Sequence, residues 1–246
     1  MKSFYLTDTG KVREHNEDSL IILENSNHEY LLAVADGMGG HSDGEIASSI
    51  AIKHLSKMFN DNFLGLGKVQ AVNWLRDTVI EINDLIFDYV AENFASKGMG
   101  TTLVVALVTK EYILFGNIGD SSGFVMKNKK LHKVTYDHTL VNLLLKAGEL
   151  TETEAKEHPK KNVLMKALGA NNPIDIDIFD CDMDIDSILL CSDGLTTMLD
   201  NEQIEKVLLS DLDIEDKVIK LIRKSNNRGG SDNISIAYLD FKESGE

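Results

Sequence analysis

The sequence predicts an α+β fold, and three observations carry that reading. Short apolar runs that end in turn residues recur along the chain, among them LLAVA at 31–35, LVVALV at 103–108 and SILLC at 187–191. Runs of that length bounded by glycine or aspartate read as buried strands. Two longer stretches instead repeat apolar residues at the spacing of an amphipathic helix. Finally, 246 residues with 43% hydrophobic content supply one substantial core, and with only two prolines no Ser/Pro/Gly-rich linker divides the chain. One domain over residues 1–246 is expected.

Taken in order, Ser3 to Thr7 reads as a short edge strand, Asp8-Thr9-Gly10 as a turn and Ser19 to Leu23 as a second strand. Leu31 to Ala35 forms a third, running into the glycine-rich DGMGGHSDGE, where Ser42 and Glu45 have the spacing of a capping box. Helices follow over residues 44–59 and 69–95, the second marked by Val72, Leu75, Val79, Ile82 and Ile86. These stripes are packing surfaces. Leu103 to Val108 and Tyr112 to Asp120 are strands joined through Thr109-Lys110-Glu111, and GFVM and LHKV form a hairpin around 127–130. Residues 139 to about 168 turn helical and polar, the start of a flap expected over 139–180. The acidic tract from Asp175 to Asp186 lacks the glycine and glutamate of an EF-hand loop and reads as a strand with one solvated face. Its apolar phase slips between Ile178 and Cys181, which predicts a bulge or turn there. A strand from Ser187 to Leu195, two helices around Ile204–Leu208 and Val218–Ile222, and a last strand ISIAYLDF complete the chain.

The formal charge of −15 argues against nucleic acid or an anionic membrane surface as partner and suits a protein that gathers cations. Two cysteines, Cys181 and Cys191, make no disulfide framework and point to a reducing compartment. The N-terminal stretch has no signal-like core, and no apolar run approaches the roughly 18 residues of a membrane span. A soluble, cytoplasmic protein is expected.

The chemistry concentrates at the ends of the strands. Asp36 follows the central apolar run, a place where a rigid strand can hold a carboxylate still. The next residue, Gly37, lets the backbone approach a ligand and can offer its own carbonyl. On this stretch alone, a ligand and a capping carboxylate are equally compatible. Asp120, Asp193 and Asp232 also sit beside glycine or serine at strand ends, and Asp18 just precedes a strand. Several such acids at one sheet edge would repel one another unless cations neutralise them. An all-oxygen set without clustered Cys or His points to Mg²⁺ or Mn²⁺ rather than zinc. Two such ions about 3.5–4 Å apart can stabilise in-line displacement at phosphorus. Arg13 is compatible with a solvated surface cation and with a bidentate phosphate clamp.

The order of these motifs resembles the metal-dependent protein phosphatases of the PP2C-like (PPM) family, in its compact bacterial form. The matching segments are TDTGKVREHNED, VADGMGGHSDGE, GMGTTL, GNIGDSS, DHTLVNLLLKAGELTETEAKEHP, LLCSDGL and GGSDNIS. They occur in family order and cover nearly the whole chain. The resemblance implies a sandwich of two antiparallel sheets with helices on both outer faces and a binuclear Mn²⁺ or Mg²⁺ site at one end. In it, Asp36 bridges the ions, the Gly37 carbonyl serves one of them, and Asp193 and Asp232 serve the other. Glu17 and Asp18 act around the metal-bound waters, Arg13 holds the phosphate, and Asp120 matches a third, weaker metal site. The implied reaction is hydrolysis of phosphoserine or phosphothreonine in one step, by a monomer opposing a Ser/Thr kinase.

Two departures from the family pattern stand out. Many eukaryotic relatives carry histidine directly after Asp-Gly, where this chain has Met38; nearby His41 is a candidate general acid. Arginine often follows Gly-Asp-Ser, where this chain has Ser122, with local packing as the expected consequence. A hydrogen-bonded structural role is expected for His138 and a core position for Cys191. Two other readings remain open from sequence: a degenerate relative that only binds phosphoproteins, and a two-metal hydrolase of small phosphate esters.

Overall fold

The computed structural model describes residues 1–39 and 43–241, with Lys156 through its backbone only. Its strands are β1 (Lys2–Asp8), β2 (Asp18–Glu24), β3 (Tyr30–Met38), β4 (Gly100–Thr101), β5 (Leu103–Val108), β6 (Ile113–Ile118), β7 (Ser122–Lys127), β8 (Lys130–Lys133), β9 (Asp177–Cys181), β10 (Ser187–Cys191) and β11 (Ile234–Asp240). Its α-helices are α1 (Asp43–Asn62), α2 (Lys68–Glu92), α3 (Leu140–Lys146), α4 (Glu152–Glu157), α5 (Asp193–Thr196), α6 (Asn201–Leu208) and α7 (Ile214–Asn227).

The strands pair into two antiparallel sheets, in the orders β1-β11-β10-β7-β8 and β2-β3-β5-β6-β9, with β4 attached to the end of β3. Three apolar layers hold the fold together. Between the sheets lie Leu32, Val34, Val104, Phe115, Ile188 and Leu190. The outer face of the second sheet packs through Leu31, Ala33 and Val105 against Leu55, Phe59, Leu75, Val79 and Ile82 of α1 and α2. The first sheet packs through Leu189 and Ile236 against Val207 of α6 and Val218 and Leu221 of α7. Strands buried on both faces need apolar residues at every position rather than at alternate ones. LLAVA and LVVALV show that pattern, and the helical stripes cover the outer faces. This is the α-β-β-α sandwich the sequence predicted.

Local chemistry accounts for most element ends. The β7–β8 hairpin closes on Asn128 and Lys129, both at positive φ (53° and 61°), the two-residue geometry that matches the twist of paired strands. Thr151 and Glu154 form a reciprocal capping box at α4, and Asp200 and Gln203 do the same at α6. Ser42, the expected cap of α1, and His41 lie outside the described residues.

Three expectations need correction. No bulge interrupts β9, which pairs residue for residue with β6 from Asn117↔Asp177 to Ile113↔Cys181. Its apolar phase slips because the chain feeds two layers: Ile176 and Ile178 join the helix-facing core, Phe179 and Cys181 the inter-sheet core. Second, β10 ends at Cys191, and Asp193 opens the short helix α5 instead of ending a strand. Third, Asp36 lies inside β3, which continues to Met38 because Gly37 and Met38 pair with Thr101 and Gly100 of β4.

Candidate active site

The antiparallel topology brings the ends of several strands to one edge of the sandwich. In the β2–β3 register Asp18 stands directly opposite Asp36, so both side chains emerge on the same face. On the neighbouring sheet Asp193 follows β10 and Asp232 precedes β11, while Asp120 lies in the connection that leaves β6 and crosses to β7 of that sheet. Arg13, Glu17, Asp36, Asp120, Asp193 and Asp232 line one cavity of about 540 Å³, with Gly37 and Met38 beside them. Asp18 is buried just beneath it, at 7% exposure.

Glycines let these segments approach. A Cβ on Gly37 would lie 2.1 Å from the Gly44 carbonyl oxygen and 2.5 Å from that of Glu17, and one on Gly194 would lie 2.0 Å from the Asn233 carbonyl oxygen. Only a residue without Cβ fits these crossings, which is why Asp36 and Asp193 are each followed by glycine.

Hydrogen bonds fix the backbone around the acids. The Asp36 amide donates to Thr102 Oγ1 at 2.9 Å, and its carbonyl accepts from Thr101 Oγ1 at 2.9 Å. Asp18 Oδ2 accepts from Ser192 Oγ at 2.8 Å. Asn233, 5% exposed, organises the loop that carries Glu17 and Arg13. Its Oδ1 accepts from the Glu17 amide at 2.8 Å, and its Nδ2 donates to the carbonyls of Thr9 and His15, both at 2.9 Å. Sequence reasoning missed this residue; the only signal was its place after Asp232 at the entrance to β11.

The electrostatics are those of crowded like charges. Burial, then the charges of Asp18, Asp193, Asp120 and Asp232, push the Asp36 carboxyl well above the carboxylate range. Burial and the charges of Asp120, Asp232 and Asp18 push Asp193 up to about 8, against a smaller opposing effect of Arg13. Asp120 rises to about 6 through burial and Asp137, and Asp18 to about 6 through burial, despite hydrogen bonds from Ser235 and Ser192. Glu17 is also raised by burial.

Whether a divalent cation suits this site can be tested on its unsatisfied atoms. Glu17 Oε1 and Asp18 Oδ1 are buried without a hydrogen-bond partner. Orphaned carboxylate oxygens beside a ring of acids with raised pKa values fit a hard divalent cation, whose charge would reverse those shifts. Among the described residues, no three side chains of metal-binding type are drawn together into a ready-made ligand set. The acids share one field across the cavity instead.

Arg13 lines the cavity and is paired with one of its acids. Its Nη2 donates to Asp232 Oδ2 at 2.8 Å, the other oxygen of that carboxylate accepting from the Asn233 amide at 2.9 Å. This pair raises the guanidinium pKa further. The Arg13 side chain is 50% exposed and lines the cavity, and Asp232 takes up only part of its five-donor fork.

His138 has the expected hydrogen-bonded role. Its Nδ1 accepts from the Gly119 amide at 3.0 Å, so Nε2 carries the hydrogen and donates to Asp177 Oδ2 at 3.1 Å. Through Gly119 it steadies the loop bearing Asp120. Ser122 is buried in β7 and donates to the Asp120 carbonyl at 3.4 Å. Cys191 is buried, its thiol pushed up to about 12, which suits packing and not nucleophilic chemistry.

The cavity's remaining wall comes from residues 162–171, within the expected flap; the flap ends earlier than expected, because from Asp177 the chain is strand β9, paired with β6. Of the residues 139–180, α3 and α4 make up the outer part, and bridges Thr139↔Leu164 and Thr101↔Leu168 tie the wall to the sheet edge.

Comparisons with known proteins agree with this fold. Residues 10–235 match the profile of the family described as Protein phosphatase 2C. The chain belongs to the protein phosphatase 2C family. It is 38% identical to the serine/threonine phosphatase stp of Listeria monocytogenes, over 98% of this chain and 96% of that protein. It is 36% identical to the protein phosphatase PhpP of Streptococcus pneumoniae, over 99% and 98%. Among solved structures, the serine/threonine phosphatase of S. agalactiae superposes with a TM-score of 0.93 at 34% identity, covering 98% of this chain and 99% of that one. The phosphatase 2C sandwich is therefore the frame in which these carboxylates are held.

Proposed function

We propose that this chain is a metal-dependent phosphoprotein phosphatase that hydrolyses phosphoserine and phosphothreonine, acting as a single monomeric domain in the cytoplasm and opposing a Ser/Thr kinase. The observation that carries the reading is the ring of Asp36, Asp120, Asp193 and Asp232 around one cavity, with orphaned oxygens on Glu17 and Asp18. Asp36, the Gly37 carbonyl, Asp193 and Asp232 would hold two Mn²⁺ or Mg²⁺ ions, and Asp120 a third, weaker one. When bound, those ions supply Lewis-acid activation of water and neutralise charge at phosphorus.

The chain's own residues do the rest. Arg13 binds and orients the phosphate, its charge offsetting the acids that would otherwise repel a dianion. Asp18 lies buried beneath the cavity with Glu17 beside it, and each carries an unpartnered carboxylate oxygen that can accept a hydrogen bond or a proton there. Asn233 keeps the Arg13–Glu17 loop at its working distance through three hydrogen bonds. Met38 lines the cavity without a titratable group, so it can neither take nor give a proton. Among the described residues no helix is long and apolar enough to cross a membrane.

The test compares hydrolysis of a phosphothreonine peptide with that of free nucleotides, after chelation and after adding back Mn²⁺ or Mg²⁺. Peptide hydrolysis that vanishes with chelator and returns with metal is expected. Full activity in a demonstrably metal-free preparation refutes the proposal, and a preference for nucleotides replaces it with a small-ester hydrolase.

A further inference from the structure

We propose that Lys166 is a specificity-determining residue that receives an acidic side chain of the substrate polypeptide near the scissile phosphate. The inference rests on the phosphatase reading above and adds to it a class of preferred phosphopeptide.

The cavity has two chemically different walls. One carries Glu17, Asp36, Asp120, Asp193 and Asp232; the other, formed by Leu164, Met165, Lys166, Ala167 and Ala170, carries no acid. The phosphate belongs with Arg13 at the first wall, so the polypeptide attached to it passes over the second. Among the described lining residues, Arg13 and Lys166 are the cations, and Arg13 is already paired with Asp232.

Lys166 is held in a way that suits exchange. Its Nζ donates to Asp177 Oδ1 at 2.9 Å, and the two side chains are 23% and 40% exposed. Asp177 does not line the cavity, and its other oxygen accepts from His138 Nε2. When Lys166 leaves, Asp177 therefore keeps a charge-stabilising partner. A substrate carboxylate can then take the place of Asp177 on the ammonium, one ion pair exchanged for another. An ammonium on a four-carbon stem suits this role, since its three donors need no fixed orientation. The need for it follows from the charge of −15 and the acid ring, which repel acidic peptides along the opposite wall of the cavity. A neutral side chain at the same place gains nothing from Lys166 and leaves it on Asp177.

The test is kcat/KM at saturating Mn²⁺ for pairs of phosphothreonine peptides that differ only in Glu against Gln, one to three residues on either side of the phosphothreonine. The wild-type protein is expected to favour Glu by about two- to threefold at one or more positions, less than a whole exposed ion pair because the contact with Asp177 is given up. Lys166→Met should bring that ratio to about one, Lys166→Glu should invert it, and Lys166→Arg should preserve the preference. Asp177→Asn frees the ammonium, so the ratio should hold or rise. Each ratio compares two peptides on the same protein, so changes transmitted through His138 to the Asp120 loop cancel. Hydrolysis without a Glu preference at any position overturns the inference alone. Equal loss of the preference in Lys166→Met and Asp177→Asn also overturns it, by making the pair a structural bridge. No hydrolysis of any peptide overturns the phosphatase reading along with it.

Discussion

Replacing Asp193 with asparagine should stabilise the chelator-treated protein, by an amount that grows with pH. The Asp193 carboxyl is raised from its ordinary 3.8 to about 8, first by burial and then by Asp120, Asp232 and Asp18. A carboxyl raised in the folded state keeps its proton there after the unfolded chain has lost its own. Between about pH 4 and 8 folding therefore binds a proton, and stability falls as pH rises. The favourable contribution is fully present below about pH 4 and lost as the pH passes about 8. At about 1.4 kcal/mol per pH unit the upper limit at pH 8 is about 5 kcal/mol. Part of that strain is shared with the other acids, which can take up a proton in its place, so the observable gain is smaller. A gain of only 1 kcal/mol still raises Tm by about 2–4 °C in a chain of this size. Asparagine keeps the shape and removes the charge. Thermal melts of both proteins in chelator at pH 5, 6.5 and 8 should show a gap that widens with pH. Adding Mn²⁺ should raise the Tm of the wild type far more than that of the variant, because a tight site binds only the folded state. A variant that melts below wild type at pH 8, or with the same gap at all three pH values, refutes the crowded-acid reading.

Other perturbations probe the frame around the acids. Asn233→Ala removes three hydrogen bonds to a buried side chain, which should cost about 2–4 kcal/mol in urea denaturation and lower turnover as the Arg13–Glu17 loop loosens. Gly194→Ala forces a Cβ to 2.0 Å from a backbone oxygen that cannot yield; a loss of about 3 kcal/mol or more, or failure to accumulate folded protein, is expected. Arg13→Ala should weaken phosphopeptide kcat/KM by roughly 1.5–3 kcal/mol, with Arg13→Lys between it and wild type. Because Arg13 is paired with Asp232, its removal should also tighten Mn²⁺ binding in calorimetric titration, and equal Mn²⁺ affinity would show that the pair carries no weight at the site.

Much of this protein was legible in its sequence, for physical reasons that particular residues make plain. Strands buried on both faces, such as LVVALV, have to be apolar throughout, and helices covering them need a stripe such as Leu75, Val79, Ile82 and Ile86, so both show in one dimension. Acids beside glycine were visible because close crossings at Gly37 and Gly194 exclude a Cβ, and that constraint is written as a residue type. What depends on partners distant in sequence was not visible. The continuation of β3 past Asp36 depends on pairing with Gly100–Thr101, and the phase of β9 on having a core on each side. Arg13 was legible as a cation near phosphate chemistry, yet its pairing with Asp232 needed the fold to close the chain from end to end. Asn233 and Lys166 look like ordinary polar residues in the sequence. Only the tertiary structure buries the first under the Glu17 loop and sets the second between Asp177 and the cavity, because hydrogen-bond partners are chosen by position in space and leave no periodic trace along the chain.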